Sequence, residues 1–364
     1  MSSTRIRDVP APAGSDATQP DGAPEAAMRP QVVRDRALPR RAGGGDVAQR
    51  YGLLVAWLIL ALVFFAVEAS FRSTTTITII FGSQSTLLIV TLAVIVTLLA
   101  GEFDLSLGAI ASVASSMLVY FDVSRHWPFL LSLVAVIAIV AGIGAVNALL
   151  VLQFGVPSII VTLGMSTLIT GVSHGIAGES PVAGASQPFV DVVSHQWLGL
   201  PIAFYLALVA CLALYYVVEH TPLGRHLVFV GRGREVARLA GVRERRYRAG
   251  GLIVGALLAG LAGVLLVGLT GATSSSSGDA YLLPAFAAAF LGSTTIKPGQ
   301  FNVWGSFVAV YFLVTGVTGL QLLGYTGWVE DAFYGASLLV AVVATQIVVR
   351  HRAGAAKATA QVAT

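Results

Sequence analysis

The residues best equipped for chemistry lie in one short polar stretch, Gly101-Glu-Phe-Asp-Leu-Ser-Leu-Gly108, with apolar sequence on both sides. Asp104 and Ser106 carry side chains able to cap a following helix by accepting from its free N–H groups. They are equally able to line a polar pathway, because an acid at membrane depth is costly and is usually put to use. Capping is the simpler assignment, with the stretch at a membrane edge and Glu102 exposed to solvent beside it. Asn147 closes the run Gly142-Ile-Gly-Ala-Val-Asn147, an amide among small residues within a long apolar segment. Such a setting suits an interhelical hydrogen bond between closely packed helices, with solute contact as the sharper alternative.

Several kinds of site have no counterpart in this sequence. A phosphate loop needs two glycines flanking four residues and a Lys followed by Ser or Thr. The nearest stretch, Gly292-Ser-Thr-Thr-Ile-Lys297, lacks the second glycine and the terminal hydroxyl residue. No H-E-x-x-H or G-x-S-x-G pattern occurs, and the six His are scattered without metal spacing. The single Cys, Cys211, stands in an apolar run and has no partner for an internal disulfide. These patterns imply no catalytic centre, no cofactor and no metal, and no cradle for ATP by a phosphate loop.

A different use is suggested by Gly231-Arg-Gly-Arg-Glu-Val-Ala-Arg-Leu-Ala-Gly241. Glu235 to Ala240 read as a short helix closed by Gly241, with Glu235 and Arg238 on one face and Ala237 between them. Gly231 and Gly233 are placed to turn the chain into it, and Arg232 sits between them. A short helix between glycine turns suits docking on a partner. An ordinary basic loop is the plainer reading.

The elements that must hold these residues are membrane helices. Of the 364 residues, 56% are hydrophobic and only 11% charged, and mean hydropathy is +0.82. Soluble domains carry about 25% charge. Apolar runs of spanning length cover Tyr51–Ser70, Ile77–Ala100, Leu105–Phe121, Pro128–Leu152, Pro157–Ala177, Pro201–Val218, Gly250–Leu269, Val303–Leu323 and Val329–Val349. A tenth, Tyr281–Leu291, is short enough to be a broken or half-spanning element. The fold class is therefore an all-α polytopic membrane protein of about ten transmembrane helices. Residues 1–48, rich in Ala, Pro, Gly and Arg, read as a disordered tail, 49–350 as the membrane domain and 351–364 as a second tail.

Eight Arg precede the first run and eight more lie between Arg225 and Arg248, whereas residues 178–200 hold Glu179 and Asp191 but no Lys or Arg. The positive-inside rule puts both termini and the 220–248 segment in the cytoplasm and 178–200 outside. Trp127 and Trp197 flank outer segments, as interface anchors do.

The order of the polar stretches adds a resemblance. Phe103-Asp-Leu-Ser-Leu-Gly108, Gly144-Ala-Val-Asn147-Ala-Leu-Leu-Val151, Gly155-Val-Pro157-Ser-Ile-Ile-Val-Thr162-Leu-Gly164, Thr221-Pro-Leu-Gly-Arg225 and Glu235-Val-Ala-Arg238-Leu-Ala-Gly241 occur in sequence. Each is similar to a block of the permease subunits of bacterial ABC sugar importers of the ribose type, in the family's order, and the resemblance as a whole spans roughly residues 85–345. The resemblance implies a multi-pass inner-membrane permease, paired with a second permease copy as a homodimer or heterodimer. Two separate ATPase subunits would dock on one side and a periplasmic or lipid-anchored solute-binding protein on the other. It makes residues 231–241 the coupling helix, and it makes Asp104, Ser106, Asn147, Pro157 and Thr162 candidates for the translocation path or for packing. The chain departs from the family near Tyr281-Leu-Leu-Pro284, where Leu282 and Pro284 replace two acids.

Permeases for branched-chain amino acids share this architecture; Asp-Leu-Ser at 104–106 favours the sugar group. An ion-coupled secondary transporter would need intramembrane acids, for which Asp104, Asp279 and Glu68 are the candidates.

Overall fold

The computed structural model describes residues 44–178, 180–325 and 327–362. The helices are α1 Gly44–Val67, α2 Thr74–Thr78, α3 Ser85–Leu99, α4 Leu107–Val119, α5 Phe129–Gln153, α6 Ser158–Ala177 and α7 Gln187–Ser194. They continue as α8 Ile202–His220, α9 Pro222–Arg232, α10 Arg234–Leu239, α11 Glu244–Thr270, α12 Leu282–Gly292, α13 Val303–Leu322 and α14 Trp328–Val362. Strands are confined to two-residue pairs: β1 Val182–Ala183 with β4 Ala272–Thr273, and β2 Gln196–Trp197 with β3 Leu200–Pro201, both antiparallel. With no water in a bilayer core, helices that satisfy their own backbone are what such a sequence must form.

Nine helical segments among the described residues are long and apolar enough to cross a membrane, and Asp279–Gly292 is a shorter apolar one. This matches the expected ten with one short element. The second crossing, Thr74–Leu99, joins α2 to α3 through a wide π-type turn at Ile79–Ser83. The third, Leu107–Ser124, ends in another at Tyr120–Ser124.

Every residue of α3 is buried. Apart from four hydroxyl residues its sequence is apolar on every side, a pattern typical of a surrounded helix. The neighbours include α4, α8, α9, α11, α12 and α13. The outer helices expose large apolar side chains instead, among them Leu62, Leu130, Ile160, Val209 and Leu339. These need lipid or another apolar partner.

Two ends of the bundle can be told apart by what ties them. At the basic end, the Arg50 Nε donates to the Ile296 carbonyl at 3.0 Å, and Lys297 pairs with Glu219. At the opposite end, β1 pairs with β4, and the Ser186 N–H donates to Asp122 Oδ2 at 2.7 Å.

The ends of the chain and its longer connections carry further structure. α1 begins at Gly44, inside the segment read as a tail, while residues 1–43 lie outside the described residues, as does Glu179. α14 continues as helix to Val362, through residues read as the second tail. The basic segment after α8 is helical from Pro222: Thr221 caps it, its hydroxyl accepting from the Gly224 N–H. The 178–200 stretch holds α7 and the β2–β3 hairpin.

Candidate functional site: a buried polar turn held by a short helix pair

The turn between α3 and α4 begins at Gly101, whose φ of 76° ends the α3 helix. Asp104 then folds back on the chain. Its Oδ1 accepts from the Ser106 N–H at 2.9 Å and from the Ser106 hydroxyl at 2.5 Å. The Ser106 oxygen in turn accepts from Asn147 Nδ2 on α5 at 2.9 Å. All three side chains are fully buried. Neither Asp104 nor Ser106 caps α4 through a side-chain bond; the Ser106 hydroxyl donates to Asp104 and its oxygen accepts from Asn147 instead. The capping expectation is thereby corrected: the pair shapes the turn itself.

The first turn of α6 grips the same stretch from the other side. Pro157 stands at the N-cap with φ −53°, the angle its ring imposes. One turn on, Thr162 Oγ1 accepts from the Leu105 N–H at 3.0 Å and donates to the Ser158 carbonyl at 2.8 Å. Ser158 Oγ accepts from the Phe103 N–H at 3.1 Å. The structure thus brings Asp104, Ser106, Asn147, Pro157 and Thr162 to one place. Asp104 Oδ2 and Asn147 Oδ1 are buried without a hydrogen-bond partner among the described residues. Burial pushes the Asp104 carboxyl up to about 6; the hydrogen bonds from Ser106 oppose this, and the Glu102 charge adds to it.

Glu102 overturns its expected exposure. Its side chain is only 1% exposed, and its Oε1 accepts from Arg248 Nε at 2.5 Å and from Arg234 Nη2 at 3.0 Å. The same Arg234 nitrogen donates to the Gly101 carbonyl at 2.7 Å. The cause is packing: α11 lies along α3 and delivers Arg248 to the end of α3, while α10 delivers Arg234. Sequence reasoning missed this cluster because the partners lie 132 and 146 residues away from Glu102. The one available signal was a carboxylate at a span end in a chain whose basic residues are grouped elsewhere. A polar cleft of about 530 Å³ opens beside the cluster, lined by Glu102, Ser158, Arg234, Glu244 and Arg248 among others.

The helix pair α9–α10 carries the residues selected for docking. Gly231 lies inside α9 rather than in a turn, and a Cβ added there would overlap the Leu99 carbonyl at the end of α3. Close approach, not a bend, is what this glycine permits. Gly233 separates the two helices in an extended conformation, φ −171°, that any residue adopts. α10 buries Ala237 and leaves Arg234, Glu235, Val236, Arg238 and Leu239 exposed, Leu239 at 85%. No ion pair joins Glu235 to Arg238 among the described residues, although they share a face; Arg232, at the end of α9, is also exposed. Gly241 closes the helix with φ 78°. Its N–H donates to the Arg238 carbonyl and the Val242 N–H to the Ala237 carbonyl, both at 3.0 Å. These paired bonds satisfy carbonyls that a helix end would otherwise leave open.

The sequence is similar to several known proteins. An autoinducer 2 import system permease protein of Photorhabdus luminescens is 26% identical, covering 84% of this chain and 95% of its own length. The corresponding protein of Salmonella typhimurium is 28% identical over 71% of this chain and 80% of its own. A D-allose transport system permease protein of Escherichia coli is 24% identical over 82% and 92%. No solved structure matches. The family model described as the branched-chain amino acid transport system / permease component matches residues 76–342, from α2 into α14, and so takes in the polar turn, the Glu102 cluster and the α9–α10 pair. The chain belongs to this family of membrane permeases.

Proposed function

We propose that this chain is the membrane subunit of an ATP-driven importer that moves a sugar or sugar-like small polar solute into a bacterial cell by alternating access. The observation that carries the reading is the permease-family match over 76–342, with relatives named for the import of autoinducer 2 and the transport of D-allose. The solute undergoes no covalent change. ATP is hydrolysed on two separate ATPase subunits, a solute-binding protein delivers cargo on the opposite side, and a second permease copy completes the path. The basic end is cytoplasmic, as are both termini, by the distribution of Arg.

In this mechanism α10 is the element that the ATPase holds. Its exposed Val236 and Leu239 offer apolar anchors outside the spanning segments, and Arg232, Glu235 and Arg238 offer charge around them. ATP-driven closure moves α9–α10. Gly231 against Leu99, and Arg234 on Glu102, pass that displacement to the end of α3. Arg248 on the same carboxylate engages α11. The buried Asp104–Ser106–Asn147 network links the turn to α5, and Thr162 links it to α6, so these helices move as one unit. Interconversion between two packed arrangements is how such bundles respond to a ligand bound preferentially by one of them.

The test pairs co-purification of the ATPase subunits with uptake of labelled D-allose and labelled leucine in cells. Glu235→Arg combined with Gly241→Pro is expected to leave the permease in the membrane while ATPase retention and uptake both fall. Wild-type retention and uptake in that variant would make the segment a passive basic tether. Uptake of leucine but not of the sugar would favour the amino-acid reading that the family's description carries.

A further inference from the structure

Between the last turns of α8, the middle of α9 and the first turns of α11 lies a cleft of about 760 Å³ that belongs neither to the polar turn nor to the Glu102 cluster. Its floor is apolar, formed by Leu214, Val218, Leu227 and Val254. Its rim is basic: Arg243 and Arg246 stand at the start of α11, and both are exposed. Neither guanidinium makes a hydrogen bond or ion pair among the described residues, and the only carboxylate between them in sequence, Glu244, is within 3.7 Å of Arg248 instead. The His226 Nδ1 and the Tyr247 hydroxyl share a hydrogen bond of 2.9 Å across one wall.

The dimensions fit a molecule with a charged head and an apolar tail. Along α11, Arg246 and Val254 are separated by eight residues, about 12 Å at the helical rise of 1.5 Å per residue. The basic rim therefore sits where α8 ends and the spanning part of α11 begins, and the apolar floor reaches about two turns deeper. Val217 and Val254 are exposed on spanning helices, so the cleft opens where acyl chains run. Arginines placed only to orient the chain would need no apolar trough beneath them.

We infer that this cleft is a binding site for an anionic phospholipid, with the phosphate held by Arg243 and Arg246 and an acyl chain lying on Leu214, Val218, Leu227 and Val254. Basic pockets between membrane helices at the membrane surface recognise anionic headgroups by this division of labour. The cleft also reaches Ala240 and Gly241 at the end of α10. A bound lipid would thus brace the helix pair from the bilayer side, whatever solute the protein carries.

The full chain, purified in mild detergent, is titrated with phosphatidylglycerol or phosphatidylcholine and read by native mass spectrometry, with thermal stability followed in parallel. Phosphatidylglycerol is expected to occupy one site at least tenfold more tightly than phosphatidylcholine and to raise the melting temperature. Arg243→Gln with Arg246→Gln should weaken it about thirtyfold, from roughly fivefold per guanidinium near a membrane surface. Gly250→Leu keeps every charge but fills the trough, since nothing lies within 4 Å of a Cβ at that position. It should abolish the tight site without lowering the stability of the lipid-free protein. Equal binding of the two lipids, or undiminished phosphatidylglycerol binding in both variants, overturns the inference. Displacement of the lipid by added ATPase subunit overturns it as well, because the cleft would then be a subunit contact.

Discussion

Replacing Glu102 tests the proposed transmission most directly. In the folded protein this carboxylate is almost completely enclosed, Arg248 is 13% exposed and Arg234 is 49% exposed. The two arms therefore carry unequal weight. Removing one member of a buried pair costs about 3–5 kcal/mol, because the remaining charge stays buried without compensation. The arm to Arg234 is half in solvent and contributes about 0–1 kcal/mol. Glu244, 3.7 Å from Arg248, offsets part of the loss. Glu102→Ala should then destabilise the protein by about 3 kcal/mol, and Glu102→Gln, which keeps an acceptor oxygen, by about half of that. Unfolding in mixed micelles of increasing SDS content measures both. A double-mutant cycle between Glu102→Gln and Arg248→Gln should return a coupling of about 1–3 kcal/mol, and the cycle with Arg234→Gln less than about 1 kcal/mol. In cells, Glu102→Gln should retain the ATPase subunits yet lose more than tenfold in uptake, since docking survives while its displacement no longer reaches α3 and α11. Uptake at the wild-type level, with an Arg248 coupling below about 0.5 kcal/mol, would refute the proposed transmission through Glu102.

Gly231→Ala should cost about 1–3 kcal/mol by forcing α9 away from the Leu99 carbonyl, whereas Gly241→Ala should cost about 1–2 kcal/mol through its positive φ; uptake and SDS unfolding separate the two from the milder Gly233→Ala. Asp104 has its folded pKa raised from 3.8 to about 6, so the proton it binds favours the folded state at low pH. That contribution is lost as pH rises from about 4 through about 6, so Asp104→Asn should raise the melting temperature at pH 7.5, by about half as much at pH 5, and hardly at all near pH 3. A pH-independent effect would locate the strain elsewhere. A Cys introduced at Ser186 should react with an impermeant thiol reagent on intact cells and one at Arg232 should not; the native Cys211 is fully buried, and Cys211→Ala removes it from the background. The reverse pattern would invert the proposed orientation.

Much of the bundle was legible because lipid imposes one rule on every crossing. Apolar runs of spanning length became α1, α3 to α6, α8, α11, α13 and α14, and the short run at 281–291 became α12. The Gly241 cap was legible for the same local reason, since a helix end needs its carbonyls satisfied within a few residues. Glu102 was misread because its surroundings are set by α10 and α11, which no local pattern announces. Gly231 was misread as a turn residue for a related reason: its constraint comes from Leu99, on a different helix. Asp104, Ser106 and Asn147 were each noticed, but their hydrogen-bonded union needs the crossing of α4 and α5, and the sequence holds no measure of that.

The complete burial of α3 has a consequence for how the protein is made. α3 precedes α11, α12 and α13 in the chain, so the helices that enclose much of it are synthesised long after it. Until then a helix bearing several hydroxyls must wait against acyl chains. Most of them already have partners within the helix or its first turn. Ser85 donates to the Gly82 carbonyl, Thr91 to Leu87 and Thr97 to Val94, at 2.7, 2.8 and 2.9 Å. Such back-bonded hydroxyls present little unsatisfied polarity to lipid. The nascent α3 can therefore rest in the bilayer without a chaperoning helix, and only Thr86, whose hydroxyl has no partner among the described residues, is left to wait for the helices that follow.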